Sequence, residues 1–142
     1  MSEIFTIRRQ VEFNHCDPAG IVFYPRYFEM ISAVQERFFA DAVGMGWDQM
    51  ISGSGMATPM GQIDCRFHAP SRLGDWLDLS LGVKRIGRSS ASFAITCTSG
   101  DERRFTCQAT VIHADVAQGT SAAWPAEMRD AMTLYLIAKT PD

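Results

Sequence analysis

The chain has 142 residues, of which 46% are apolar, 11% aromatic and 20% charged, with a formal net charge of −3. That is one domain's worth of chain, with enough apolar material for a core, too little charge for intrinsic disorder, and no global attraction for nucleic acid. No apolar run reaches the roughly 20 residues that span a bilayer, and Met1 to Gln10 mixes charges with apolar residues, unlike a secretory signal. The expectation is therefore a single domain over 1–142 in the cytoplasm, with neither membrane nor nucleic acid as partner.

In chain order, Ile4 to Phe13 alternates with β-branched and aromatic enrichment and predicts a first strand. A loop through Asp17 follows, bent by Pro18 and Gly20. From Pro25 to about Val43, Phe28, Ile31, Phe38, Phe39 and Ala42 recur at helical spacing. Glu29, Gln35, Glu36 and Arg37 fill part of the other side, Pro25 suits the first helical position, and Gly44 and Gly46 supply the stop. Asp48 to Gly55 reads as a short helix whose run Ser52-Gly53-Ser54-Gly55 would allow a flap.

Four strands are then predicted: Ala57 to Ala69, Trp76 to Ile86, Ser90 to Ser99 and Arg103 to Ala114. Ser99-Gly100-Asp101-Glu102 reads as a hairpin turn. In the first of these strands, Gly61, Ile63, Cys65 and Phe67 form the face expected to pack on the helix, with Gln62, Asp64, Arg66 and His68 outward. From Pro125 the helical spacing restarts with Met128, Met132, Tyr135 and Leu136. One long helix followed by a run of antiparallel strands gives an α+β layer in which the sheet wraps the helix.

The segment Asn14 to Phe28, N-H-C-D-P-A-G-I-V-F-Y-P-R-Y-F, carries the chemistry. It sets one carboxylate, Asp17, a few residues from a helix N-terminus, where unpaired N–H groups and the positive end of the macrodipole polarise a carbonyl and hold an oxyanion. Pro25 has no N–H, so the donor must come from Tyr24, Arg26 or Tyr27, and Tyr24 is favoured. Taken alone, an Asp before Pro is a turn carboxylate. Cys16, between His15 and Asp17, spells a triad on paper, but neighbours in extended chain point to opposite faces and cannot converge. The four cysteines, Cys16, Cys65, Cys97 and Cys107, lack zinc-site spacing and read as small buried hydrophobes. His15, His68 and His113 are solitary and read as structural, and no metal site is expected.

The order of Asp, Pro, Gly, aromatic, Pro and aromatic-rich helix over Asp17 to Tyr27 resembles the opening of the 4-hydroxybenzoyl-CoA thioesterase family, hotdog-fold enzymes that hydrolyse acyl-CoA thioesters. The likeness continues more diffusely through Trp47, Thr58-Pro59-Met60, the Gly74-Asp75 turn and Lys84 to Ser90. It implies a hotdog fold with an antiparallel sheet around one long central helix, chains joined edge to edge into dimers, and common tetramers.

By this resemblance Asp17 is the catalytic carboxylate, acting as nucleophile or general base, and the Tyr24 amide faces the thioester carbonyl. Trp47, Thr58, Pro59 and Met60 line the acyl site, the last three from the other subunit. Lys84, Arg88, Ser89 and Ser90, otherwise a solvated basic turn, bind the phosphates of coenzyme A, with Arg88 and Ser89 foremost. No metal or redox cofactor is implied. Ser32 departs from the acidic residue expected opposite a substrate phenol, so the 4-hydroxybenzoyl group is not carried over. The reading is an acyl-CoA thioesterase acting on an aryl or a short- or medium-chain acyl group. The alternatives are an acyl-carrier-protein thioesterase, docking near Arg85 to Arg88, and a non-catalytic acyl-CoA binding protein in which Asp17 only shapes its turn.

Overall fold

The computed structural model describes residues 3–137. In chain order the strands are β1 (Phe5–Gln10), β2 (Met56–Ala57), β3 (Met60–Phe67), β4 (Trp76–Ile86), β5 (Ser90–Ser99), β6 (Glu102–Ile112), β7 (Ala114–Asp115) and β8 (Thr120–Ser121). The helices are α1 (Pro25–Arg37), α2 (Trp47–Gln49) and α3 (Ala126–Thr133). The five longer strands form one antiparallel sheet in the order β1-β4-β5-β6-β3, and the short ones a second sheet, β2-β7-β8. This is the hotdog arrangement that the resemblance implied.

Alternation decides which face of the large sheet is dry. Leu77, Leu79, Leu81 and Val83 of β4, Ala91, Phe93, Ile95 and Cys97 of β5, and Phe105, Cys107, Ala109 and Val111 of β6 are buried toward the helix. The opposite face is polar and carries cross-strand pairs such as Ser92–Thr110 at 2.8 Å and Thr6–Ser80 at 3.0 Å.

Pro25 opens α1, and a π-helical stretch, Phe38–Val43, carries it on to Gly44, whose φ of 82° closes it in the left-handed region. The helix crosses the sheet from one edge to the other. Tyr27, near its start, lies 5.6 Å from Phe67 and 5.0 Å from Phe105, ring centre to ring centre. Phe38, at its far end, meets Phe5 at 5.8 Å and Phe93 at 5.6 Å. The N-terminus of α1 therefore stands over the β3 edge.

Four expectations are corrected. The first strand stops at Gln10, because the chain turns into a 3₁₀ turn, Phe13–His15, in which the Glu12 N–H donates to His15 Nδ1 at 2.8 Å. The strand expected over Ala57 to Ala69 is divided at Thr58-Pro59: β2 pairs with β7, and the main sheet begins only at Met60. On β3 the inward face is only partly covered, with Ile63 37% and Phe67 46% exposed, because β3 ends the sheet and no strand lies beyond it among the described residues. Tyr135 and Leu136 lie past α3, where the chain leaves the helix and bridges to Val83 of β4.

Candidate active site

The Asp17 loop is a small closed unit. Cys16 bridges to Val22, the Asp17 N–H donates to Ile21 O at 2.9 Å, and the Gly20 N–H to Asp17 O at 3.0 Å, with Gly20 at φ 78°, where a side chain would be strained. The carboxylate divides its oxygens. Oδ1 accepts the Ala19 N–H at 2.9 Å, as an Asp at the head of a turn does. Oδ2 has no partner among the described residues, and Asp17 lines an open cleft of about 430 Å³ together with Phe13, Cys16, Pro18, Gly20 and Leu73. Phe13 and Leu73, both more than half exposed, make two apolar walls of the cleft beside this carboxylate.

Among the three amides considered at the helix entrance, two are already used. The Arg26 N–H donates to Phe23 O at 2.8 Å and the Tyr27 N–H to Tyr24 O at 3.0 Å. The Tyr24 N–H donates to no acceptor among the described residues. Its residue has helical dihedrals, φ −53° and ψ −32°, so this N–H runs parallel to the amides of α1 and points out of the helix end. The Tyr24 side chain is 61% exposed, and its ring lies 5.7 Å from that of Phe23.

Trp47, Thr58, Pro59 and Met60 are brought together, but in a different place. Trp47, Thr58 and Met60 join Phe28, Ile31, Ser32, Gln35 and Ile63 around a cleft of about 340 Å³ between α1 and β3. Pro59 lines a neighbouring cavity that also touches Trp47 and Thr58. Within one chain this cleft does not include Asp17. Gln35, expected on the polar side of the helix, is instead 2% exposed, with its Nε2 donating to Ile31 O at 3.3 Å. It stands one turn beyond Ser32 on the same wall. A polar residue at i+3 from Ser32 and i+4 from Ile31 was the available signal.

The basic turn is built with its carbonyls inward. Gly87 O accepts the Arg129 guanidinium, Arg88 O the Trp124 N–H, Ser89 O the His113 N–H, and Ser90 O both the Gly87 N–H and Trp124 Nε1. The Arg88 and Ser89 amides find no acceptor among the described residues, so the outward surface presents N–H groups, a guanidinium and hydroxyls. Lys84 is set apart from this group: it lies on the polar sheet face, its Nζ donating to Gln108 Oε1 at 2.8 Å.

The remaining candidates are structural in this geometry. His113 is buried, stacked on Trp124 at 4.8 Å and bonded through Nδ1 to Ala122 O at 3.0 Å; His68 pairs with Thr106 at 3.1 Å. All four cysteines are free. Cys97 and Cys107 are buried and Cys16 and Cys65 half-buried; burial pushes the Cys97 thiol up to about 12, leaving it protonated and unreactive at neutral pH.

Fold and site together define a hotdog protein with a carboxylate beside an open helix end. The sequence pattern of the thioesterase-like superfamily matches residues 11–132, and the chain belongs to that superfamily. It is 29% identical over 91 residues to a 4-hydroxybenzoyl-CoA thioesterase from Pseudomonas sp. strain CBS-3, covering 63% of this chain and 64% of that relative's length. Among solved structures it is similar to a 1,4-dihydroxy-2-naphthoyl-CoA thioesterase from Synechocystis, with a TM-score of 0.84 and 20% identity over 92% of this chain and 96% of the other. A thioesterase superfamily protein from Jannaschia sp. CCS1 overlays with a TM-score of 0.87 and 18% identity over 94% of each chain. No helix among the described residues is long and apolar enough to cross a membrane.

Proposed function

We propose that the protein hydrolyses acyl-CoA thioesters to the free acid and coenzyme A. The observation that carries this reading is the free Tyr24 amide, directed out of α1 a few residues from the unpaired Oδ2 of Asp17. A thioester carbonyl oxygen accepting that N–H is polarised, and negative charge developing on it is stabilised by an amide that needs no reorganisation. Asp17 either attacks the carbonyl carbon, expelling the CoA thiolate and leaving a mixed anhydride that water cleaves, or removes a proton from the water that attacks. Both routes use the same two groups. The proposal calls on no metal or redox cofactor, and coenzyme A enters as part of the substrate.

The CoA phosphates are assigned to the turn of Arg88, Ser89 and Ser90, where outward amides, hydroxyls and a guanidinium make charge-assisted hydrogen bonds. Lys84, engaged with Gln108, adds charge at longer range. The acyl group is assigned to the surface of Trp47, Thr58, Pro59 and Met60.

Because these residues and Asp17 open into separate clefts of one chain, the complete site is proposed to form between two chains. The unpaired β3 edge supports this, since it leaves Phe28, Met60, Ile63 and Phe67 between 37% and 46% exposed. A dimer is the minimal unit of this reading, with a tetramer as two dimers. A panel of acyl-CoA and acyl-carrier-protein thioesters, read by release of free thiol, tests the activity. Survival of every thioester on prolonged incubation would refute it.

A further inference from the structure

A cavity of about 530 Å³ adjoins the α1 cleft, and Trp47, Thr58 and Pro59 of the proposed acyl surface line it while Asp17 and Tyr24 do not. Its walls are Trp47, Ile51, Ala57, Pro59, Ala114 and Val116, with Thr58 between Trp47 and Pro59. Trp47 and Thr58 line both this cavity and the α1 cleft, so the two spaces meet at the indole. The one charged side chain on the wall, Asp115, is turned into the β7–β8 connection, where its Oδ1 accepts the Gln118 N–H at 3.0 Å. What faces the space is hydrocarbon. A volume of this size is that of a small-molecule site, and apolar walls without a convergent polar group recognise apolar surface alone.

One wall comes from a short, exposed π-helical turn. Ile51 belongs to the π-helical turn Met50–Ser54, is 65% exposed, and precedes Gly53 and Gly55. Val116, at 60% exposure, donates its N–H to O of Gly55, the residue that closes that turn, at 3.0 Å. Both of these exposed aliphatic side chains line the cavity.

We propose that this cavity is the subsite for the distal part of an apolar acyl chain, so that the preferred substrate is a medium- to long-chain fatty acyl thioester rather than a compact aryl one. The proposal rests on the thioesterase reading for the identity of the ligand. The thioester stays at Asp17 and Tyr24, the first carbons pass Thr58 and Met60, and the methyl end lies beyond Trp47. Each methylene transferred from water to such a wall gains free energy that a small aryl substrate could not draw from it.

The test is a length series from acetyl- through hexanoyl- and decanoyl- to palmitoyl-CoA, with benzoyl-CoA as the compact aryl comparison. For the native protein, kcat/KM should rise at least about tenfold from hexanoyl to decanoyl. Ala57→Phe, which fills the cavity from β2, should collapse the decanoyl-to-hexanoyl ratio toward one. Val116→Trp, at an exposed position that tolerates bulk, gives the same readout if the first variant does not fold.

Binding is followed separately in Asp17→Asn by quenching of tryptophan fluorescence with a bromine-labelled decanoic acid. It should be lost in the double variant with Ala57→Phe. Hydrolysis of benzoyl-CoA or short thioesters with no dependence on length, or a ratio untouched by filling, overturns the subsite and leaves the hydrolase standing. No hydrolysis of any thioester, with acid binding still abolished by Ala57→Phe, overturns the hydrolase and leaves the subsite.

Discussion

Arg104 Nη1 lies 2.7 Å from Asp75 Oδ2, and this pair holds the Asp17 loop in place although neither residue belongs to it. The same guanidinium donates to Pro70 O at 3.1 Å, and the same carboxylate oxygen accepts the Arg72 N–H at 2.9 Å, so the 70–75 turn is fixed from inside. That turn is then bonded to the loop on both sides. Val22 N–H donates to Ser71 O at 2.8 Å, Leu73 N–H to Gly20 O at 3.1 Å, and Gly74 N–H to Val11 O at 2.9 Å. Arg104 is 9% exposed, and its charge is compensated by Asp75 and by Glu102, whose Oε1 lies 2.8 Å from Arg104 Nε.

Arg104→Met should therefore cost about 2 kcal/mol of stability, the scale of a lost charge-assisted hydrogen bond. It should also lower kcat by more than the loss of folded protein explains, with KM little changed. Denaturant unfolding and steady-state kinetics on the same preparation check both.

The pair also sets an acid limit. The Arg104 guanidinium, and after it the Arg72 N–H, hold the Asp75 carboxyl below its ordinary value. A depressed carboxylate contributes stability that is fully present above the unfolded value of about 3.9 and is lost as pH falls through the lower folded value. Thermal unfolding measured from about pH 5 down to about pH 2 should show this loss in the native protein. Asp75→Asn should be less stable at neutral pH and show a shallower acid decline.

Asp17→Asn should retain the fold, because the Asn side-chain oxygen can still accept the Ala19 N–H that Oδ1 accepts now. Turnover should fall at least about a hundredfold, since an amide is neither a base nor a competent nucleophile. Asp17→Ala should match that loss and give up a further stability increment of about 1 kcal/mol by deleting the acceptor. Native rates in either variant would remove Asp17 from the chemistry.

Arg88→Ala should raise KM for acyl-CoA about tenfold with kcat nearly unchanged, because a phosphate contact far from the carbonyl binds ground and transition states alike. The carbonyls of the turn remain bonded to Arg129, Trp124 and His113, so the backbone has no reason to move. Lys84→Ala should affect KM less, its ammonium being held by Gln108.

Ile63→Asp, placed on the exposed half of β3, should give a folded monomer with little activity. Sedimentation and activity measured over one dilution series should then fall together in the native protein. A fully active monomer would show that one chain completes the site.

The sequence by itself determined the local grammar. Pro25 and Gly44 bound the long helix because one fits its first turn and the other its left-handed close. Turn residues and β-branched runs placed the strands from Trp76 to Ile86, Ser90 to Ser99 and Arg103 to Ala114 within a residue or two of β4, β5 and β6. The order of residues from Asp17 to Tyr27 carries the likeness to the thioesterase family, which the match over residues 11–132 bears out. Tertiary structure decided everything that depends on a neighbour distant in the chain. It made β3 an edge and so left Ile63 and Phe67 half covered, turned Gln35 inward beside Ser32, and drew Tyr135 and Leu136 out of the helix toward β4. It also left Tyr24, of the three amides at the helix entrance, with its N–H unpaired. Local propensity is written in consecutive residues, but burial and hydrogen-bond satisfaction are set by which segment arrives alongside, and no single segment encodes its partner.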